Sequence, residues 1–193
     1  MPSSNWVAIM VLLISTSFDL TASEQTRVDK KQIAISKTSG LRLYQGQPYT
    51  GEVATYYPSG QLAKLSSFKQ GLRDGYLKQW FSNGQLSFHS TYKLGVLEGE
   101  TKSWWSNGTL RSVTGYQNGK VHGDVEQWYV TGEKFKKLHY EFGRESGLQQ
   151  AWRKNGKLYS NYEYVNGRVY GLKRANMCVE LNDEKLLPSN NAD

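Results

Sequence analysis

The sequence predicts an all-β protein, an elongated single-layer antiparallel β-meander built from tandem 24-residue hairpins. Three observations predict this fold: a regular glycine spacing, aromatic positions that repeat with the same spacing, and a composition rich in strand and turn residues. The 193 residues include 19 Gly, 13 Tyr, 6 Trp and 6 Phe but only 4 Pro. Aromatic residues favour strands and glycine favours turns, so we expect strands to dominate.

Glycine recurs at three positions of the 24-residue period without any insertion or deletion. One position opens each unit, the second follows nine residues later, and the third lies twenty residues into the unit. Sixteen of the 19 glycines follow this pattern: Gly51, Gly75, Gly99, Gly123, Gly147 and Gly171; Gly60, Gly84, Gly108, Gly132 and Gly156; and Gly71, Gly95, Gly119, Gly143 and Gly167. Because glycine takes positive φ without penalty, the second and third sets predict hairpin turns. Each unit should therefore run strand, turn, strand, turn.

Aromatic side chains occupy fixed positions between these turns. One row lies on the first strand of each unit, and the other lies on the second strand. The first row is Tyr56, Trp80, Trp104, Trp128 and Trp152, and the second is Phe68 followed by Tyr92, Tyr116, Tyr140 and Tyr164. Equivalent residues lie two strands apart, roughly 10 Å, so we expect their rings to interleave in a ladder. The tryptophans and tyrosines are the candidate binding residues, and the alternative role for them is packing between hairpins.

Two further positions repeat beside the aromatic rows. The residue after each first-row aromatic should point to the opposite face, because side chains alternate along a strand; these residues are Tyr57, Phe81, Trp105, Tyr129 and Arg153. A leucine recurs on the second strand, as Leu62, Leu86, Leu110 and Leu158. Lys134 breaks the leucine series, and we expect neighbouring Phe135 to compensate for it.

These units resemble the MORN repeat, and more closely its bacterial variant found in YwqK-type proteins. The best copy runs from Trp104-Trp105-Ser106-Asn107-Gly108-Thr109-Leu110 to Tyr116-Gln117-Asn118-Gly119, and Val121-His122-Gly123 matches the His-Gly of the common MORN pattern. The resemblance extends from about Gly46 to Gly171. It implies an elongated, gently twisted MORN-like sheet. It also implies a protein of a group commonly labelled as antitoxins, or as proteins that bind partners or phospholipid.

The chain divides into four predicted segments. Residues 1–23 read as a signal peptide, because the nine apolar residues from Trp6 to Ile14 are too few to span a bilayer. Residues 24–40 are a predicted linker, and 41–181 form the repeat domain, with five full units over 51–170 and partial capping strands at 41–50 and 172–181. Residues 182–193 are a predicted disordered tail. We therefore expect a periplasmic or secreted protein, with an uncleaved N-terminal membrane tether as the alternative.

The sequence contains no convincing catalytic or metal-binding constellation. His89, His122 and His139 occupy three different positions of the repeat, and neither a Cys pair nor a His-Glu helix motif is present. Glu52, Glu100 and Asp124 share one repeat position, where we expect exposed charges at strand ends. The single Cys178 has no partner for an intramolecular disulfide, and its role stays open. We predict no cofactor, no metal site, no catalytic residue and no enzymatic activity.

The function predicted from this pattern is binding. The leading hypothesis is a non-catalytic repeat scaffold that binds a protein partner, with a toxin as one option. The alternative is a peripheral anionic-lipid binder, which would use aromatic residues and the scattered Lys and Arg behind the net charge of +7. Nucleic-acid recognition is not expected, because no known reading module accompanies the charge. The partner, the operative face and the oligomeric state stay open.

Overall fold

The computed structural model describes residues 26–173, which form strands, tight turns and one short 3₁₀ turn. The elements in chain order are β1 (Arg27–Asp29), the 3₁₀ turn (Lys30–Gln32), β2 (Ile33–Ile35), β3 (Arg42–Tyr44), β4 (Gln47–Pro48), β5 (Gly51–Tyr56), β6 (Leu62–Lys69), β7 (Leu72–Trp80), β8 (Leu86–Lys93), β9 (Val96–Leu97), β10 (Gly99–Trp104), β11 (Leu110–Gln117), β12 (Lys120–Trp128), β13 (Lys134–Glu141), β14 (Arg144–Glu145), β15 (Gly147–Trp152), β16 (Leu158–Val165) and β17 (Arg168–Leu172).

The repeat strands form one long sheet in which each strand pairs with its neighbours in the sequence. From β5 to β17 the order follows the chain, and all pairs are antiparallel, with β9 and β14 extending two hairpins. The predicted fold class, an all-β meander of tandem hairpins, is confirmed. One pair departs from it: β1 adds to the edge of the sheet in parallel with β5, placing Val28 opposite Val53.

The glycine turns lie where the sequence predicts them, and their geometry is the same in every unit. In each unit the pairing register shifts just before the first glycine turn, as it does between Gln79 and Trp80, and the strand leads into the loop at that point. In the second turns the residue before glycine also has positive φ, which suits Asn118 (φ 50°) but not Leu94 (φ 49°) or Phe142 (φ 46°). The repeat backbone therefore imposes this conformation even on bulky side chains.

The N-terminal region differs from its predicted roles as a linker and an opening strand. Part of the predicted linker 24–40 forms β1, the 3₁₀ turn and β2, and Asp29 caps that turn through its side chain. The predicted opening strand, 41–50, forms β3 and β4, which join β2 in a separate three-stranded sheet. Pattern alone could not show this, because residues 26–50 lie outside the 24-residue period. We call residues 26–50 the N-terminal cap.

The cap gives the first unit a second layer and a hydrophobic core. Val28 and Tyr49 from the cap are buried together with Val53 and Phe68 of the main sheet, and Ile33 and Tyr44 pack against them. Towards the centre of the sheet most side chains are only half-buried, as a single layer requires. The protein is therefore two-layered at its N-terminal end and single-layered through its middle.

Several predictions concern residues that the structure does not describe. The signal peptide 1–23, the tail 182–193, Cys178 and the predicted closing-strand segment 174–181 lie outside residues 26–173. Within the described range, no helix has the length and apolarity that crossing a membrane would require.

Candidate binding surfaces

The two aromatic rows lie on opposite faces of the sheet. In β7, Tyr76 and Trp80 are four residues apart and so share one face. Thr91 of β8 lies directly opposite Tyr76 and so shares its face. The next residue, Tyr92, therefore points to the other face. The candidate residues therefore form two surfaces: a tryptophan face (Tyr56, Trp80, Trp104, Trp128 and Trp152) and a tyrosine face (Phe68, Tyr92, Tyr116, Tyr140 and Tyr164).

Each tryptophan of the tryptophan face lies opposite a residue of the second strand of its unit. Trp80 lies opposite Leu86, and the same pairing joins Trp104 to Leu110. Among residues 26–173 no ring contact joins two members of this row, so the expected ladder of interleaved rings is wrong. The tryptophans are partly exposed and Tyr56 is 43% exposed, so each ring presents part of its surface to solvent.

The break in the leucine series changes a local contact on the tryptophan face. Lys134 lies opposite Trp128, and its Nζ is 3.4 Å from Glu126 Oε1 and 5.7 Å from the centre of the Trp152 ring. Phe135 does not replace the missing leucine, because its ring lies 4.9 Å from that of Tyr129 at the edge of the sheet. A cation thus takes the place of an aliphatic contact in the fourth unit.

Glu52 is the most constrained carboxylate on the tryptophan face. It is buried, accepts a 2.7 Å hydrogen bond from Arg27 Nε, and accepts another from the Tyr76 hydroxyl. Burial alone would raise the pKa of Glu52, but the hydrogen bonds from Tyr76 and Arg27 outweigh it and hold the pKa below its ordinary value. The expectation of an exposed strand-end charge is therefore wrong for Glu52.

The two equivalent carboxylates are exposed and paired. Glu100 Oε2 lies 2.8 Å from Lys102 Nζ. Asp124 Oδ1 lies 2.7 Å from His139 Nδ1, and this hydrogen bond is the main cause of a lowered Asp124 pKa. Lys137 Nζ lies 3.6 Å from the other Asp124 oxygen. Across residues 26–173, His, Cys, Asp and Glu form no group that could hold a metal ion.

The tyrosine face has a different chemical character. Its centre carries small hydroxyl side chains, with Ser103 Oγ 2.6 Å from Ser112 Oγ. Ser90 is fully buried there, and its hydroxyl has no hydrogen-bond partner within the described residues. Tyr92 is covered by the guanidinium of Arg73, which lies 4.7 Å from its ring centre. This face is therefore more enclosed than the tryptophan face.

In three of the five units the residue after the first-row aromatic ties one unit to the next. Tyr57 Oη donates to the main-chain oxygen of Trp80 at 2.7 Å, and Tyr129 Oη donates to that of Trp152 at 2.9 Å. Trp105 Nε1 donates to the Trp128 oxygen at 3.2 Å. From the sequence, these residues are predicted only to point to the face opposite the first-row aromatics. Three of the five, two tyrosines and a tryptophan, carry a hydrogen-bond donor on the ring, and this feature could have indicated the contact between units.

Three tandem segments of the chain, 49–70, 73–94 and 97–118, match the MORN repeat variant family. They cover most of the first three units and include members of both aromatic rows. The two units that follow continue the same glycine spacing and the same hairpin structure. No curated protein sequence matches the chain. Repeats of this family are in general non-catalytic binding modules, which agrees with a long sheet that presents two extended faces.

Proposed function

We propose that this protein is a non-catalytic repeat scaffold whose tryptophan face binds a protein partner, in the manner of an antitoxin or immunity protein. The observation that carries the proposal is a row of partly exposed aromatic rings, one in each unit, set among charges of both signs. Because residues 1–23 are predicted to be an export signal, the protein would meet its partner in the periplasm or outside the cell. N-terminal sequencing of the exported protein should find a chain that begins near Glu24.

The tryptophan face has the chemistry of a protein interface. Tryptophan and tyrosine are enriched at interfaces because they bury a large area and lose few rotamers on binding. Each ring here lies opposite a side chain of the paired strand, such as Leu86 for Trp80, and the packed sheet surface limits the rotamers that it would lose on docking. The fixed spacing of the units also matches an extended partner better than a single small ligand.

The charge distribution favours a protein over a lipid surface. Lys78, Lys102, Lys134 and Lys137 share the tryptophan face with Glu100, Asp124 and Glu126, so cations and acids are nearly balanced there. An anionic membrane attracts a face with an excess of cations, whereas charges of both signs suit a partner with a complementary pattern. The net charge of +7 is therefore not concentrated on this face.

The test is affinity capture from the native organism with the full chain and two matched variants. Trp104→Leu alters the tryptophan face, and Tyr116→Leu alters the tyrosine face of the same unit. We expect Trp104→Leu to weaken recovery of a specific protein by roughly 30-fold, which corresponds to an interface hot spot of about 2 kcal/mol. Tyr116→Leu should recover that protein as the natural chain does.

Two results would contradict the proposal. One is equal loss of the captured protein in both variants, once circular dichroism has shown that both are folded. The other is repeated recovery of no specific protein, together with flotation of the chain on anionic vesicles at low salt. The second result would assign the exposed aromatic residues to a membrane surface.

A further inference from the structure

A cavity of about 280 Å³ lies between the N-terminal cap and the tyrosine face of the first unit. Its cap wall includes Ile33 and Arg42, and its sheet wall includes Val53, Lys64 and Phe68. The cavity is open to solvent, and the cap supplies its second wall.

Four cations line this cavity: Lys30 and Arg42 from the cap, and Lys64 and Arg73 from the sheet. None of the four forms an ion pair with a carboxylate of residues 26–173. The acidic neighbour of Lys30, Asp29, is engaged in capping the 3₁₀ turn through the main-chain N–H of Lys31, 2.7 Å away. So much unpaired like charge around one cavity costs stability unless an anion enters it.

Arg73 is held in position by rings. Its guanidinium carbon lies 4.7 Å from the centre of the Tyr92 ring and 5.9 Å from that of Phe68. Its Nε is buried without a hydrogen-bond partner among the described residues. The rings therefore hold the Arg73 guanidinium at the cavity wall, where a buried, unsatisfied N–H adds to the cost of this cluster.

Lys64 shows the electrostatic effect of this arrangement. Burial lowers the pKa of its ammonium group, and the charges of Arg73, Lys30 and Arg42 lower it further. An anion among these groups would oppose the last three effects and raise the pKa again. The lowered pKa of Lys64 and the cost in stability are thus two effects of the same four unpaired cations.

The same positions three units further along carry a different arrangement. Lys136, Tyr140 and Glu145 occupy the positions of Lys64, Phe68 and Arg73, and they line a cavity of about 310 Å³ on the same face. Here the residue equivalent to Arg73 is an acid. The excess of cations is therefore specific to the first unit and is not a property of the repeat.

We infer that the cavity under the N-terminal cap is a binding site for a small amphipathic anion, a phosphate or carboxylate group joined to a short apolar chain. The four cations would hold the anionic group. Ile33, Val53 and Phe68 would contact the apolar chain. This inference does not depend on the proposed protein partner, because it uses the opposite face of the sheet.

The experiment measures binding of hexyl phosphate to the full chain by isothermal titration calorimetry. We expect Lys64→Gln to weaken binding by about tenfold or more, since a charge-assisted hydrogen bond in a partly enclosed site is lost. Lys136→Gln, the same substitution at the equivalent position of the fourth unit, should leave binding unchanged. Arg42→Gln, on the cap, serves as the second variant if circular dichroism shows that Lys64→Gln does not fold.

Inorganic phosphate and vesicles of phosphatidylglycerol separate the possible sources of the anionic group. Weaker binding of inorganic phosphate than of hexyl phosphate supports a site with an apolar part. The inference is overturned if hexyl phosphate does not bind, if inorganic phosphate binds as tightly, or if Lys136→Gln weakens binding as much as Lys64→Gln. Binding to the vesicles alone would overturn it as well, because the site is proposed for a soluble molecule.

Discussion

The first and third units share one repeat pattern but differ in how deeply their side chains are buried. In the first unit, Val53 and Leu65 are buried and Ala54 is completely enclosed. In the described stretch from Gly99 to Gln117, no residue is fully buried. The repeat therefore specifies the sheet, and residues of the N-terminal cap add to the burial of the first unit.

This difference separates two sources of stability. The capped end gains from apolar burial in two layers, and the middle depends on contacts between neighbouring units. In the third unit such contacts include the Trp105 side chain on the Trp128 oxygen and the Asn107 amide on the Val130 oxygen, 3.0 Å away. We expect the middle to open locally at a lower free energy than the capped end.

The largest expected difference concerns two glycines that both open a unit. A Cβ at Gly51 would collide with the main-chain oxygen of Thr26 and lie 2.5 Å from Tyr49 Oη in the cap, at φ +142°. A Cβ at Gly123 would meet no atom within 4 Å, although φ is +82°. We expect Gly51→Ala to lower the free energy of unfolding by about 3 kcal/mol or more, and Gly123→Ala by about 1 kcal/mol.

Urea denaturation of both glycine variants measures this difference. Equal destabilisation would mean that strain at positive φ dominates and that the cap contributes little to the fold. A change in the slope of unfolding for Gly51→Ala alone would show that the cap detaches before the sheet unfolds.

The second prediction compares Glu52 with Glu100, which occupy the same repeat position. Glu52→Gln leaves a buried site without its charge, and we expect a loss of about 1–3 kcal/mol in unfolding free energy at pH 7. Glu100→Gln, at an exposed pair, should change it by less than about 0.5 kcal/mol. Thermal and urea unfolding of both variants check these values.

The pH dependence of the Glu52 effect has a definite sign. Its pKa in the folded protein lies below the ordinary value of 4.5, so its contribution is complete above that value and is lost as pH falls through the folded pKa. The stability gap between the natural chain and Glu52→Gln should therefore narrow below pH 4.5. If the stability difference between the two proteins stays constant at acidic pH, the Glu52 side chain contributes to stability through packing alone.

The repeat region could be predicted closely because turn chemistry and alternation act locally. Glycine spacing predicted the turns at Gly60 and Gly71 and their equivalents, and the structure places them there. The cap could not be predicted in this way, since β1 reaches the sheet through a parallel pair that joins Val28 to Val53, 25 residues apart. Periodicity carries no information about such a contact.

The candidate surfaces were predicted only in part for a related reason. Strand alternation places Trp80 and its neighbour Phe81 on opposite faces, but it does not show which of these two faces carries Tyr92. That requires the register of each hairpin, which the shift between Gln79 and Trp80 alters. The burial of Glu52 likewise depends on Arg27, a residue outside the repeat.

The smallest expected effect tests whether neighbouring units are coupled by the donors that follow the first aromatic row. Phe81 occupies the position of Tyr57 and Tyr129 but has no donor for the main-chain oxygen of Trp104. Phe81→Tyr supplies one and should raise the unfolding free energy by about 0.5–1 kcal/mol, while Tyr129→Phe should lower it by a similar amount. Hydrogen exchange should show slower exchange across β7 to β10 in Phe81→Tyr. If both substitutions leave exchange and stability unchanged, the units are held together by their main-chain ladder alone, and the middle of the sheet gains nothing from these side chains.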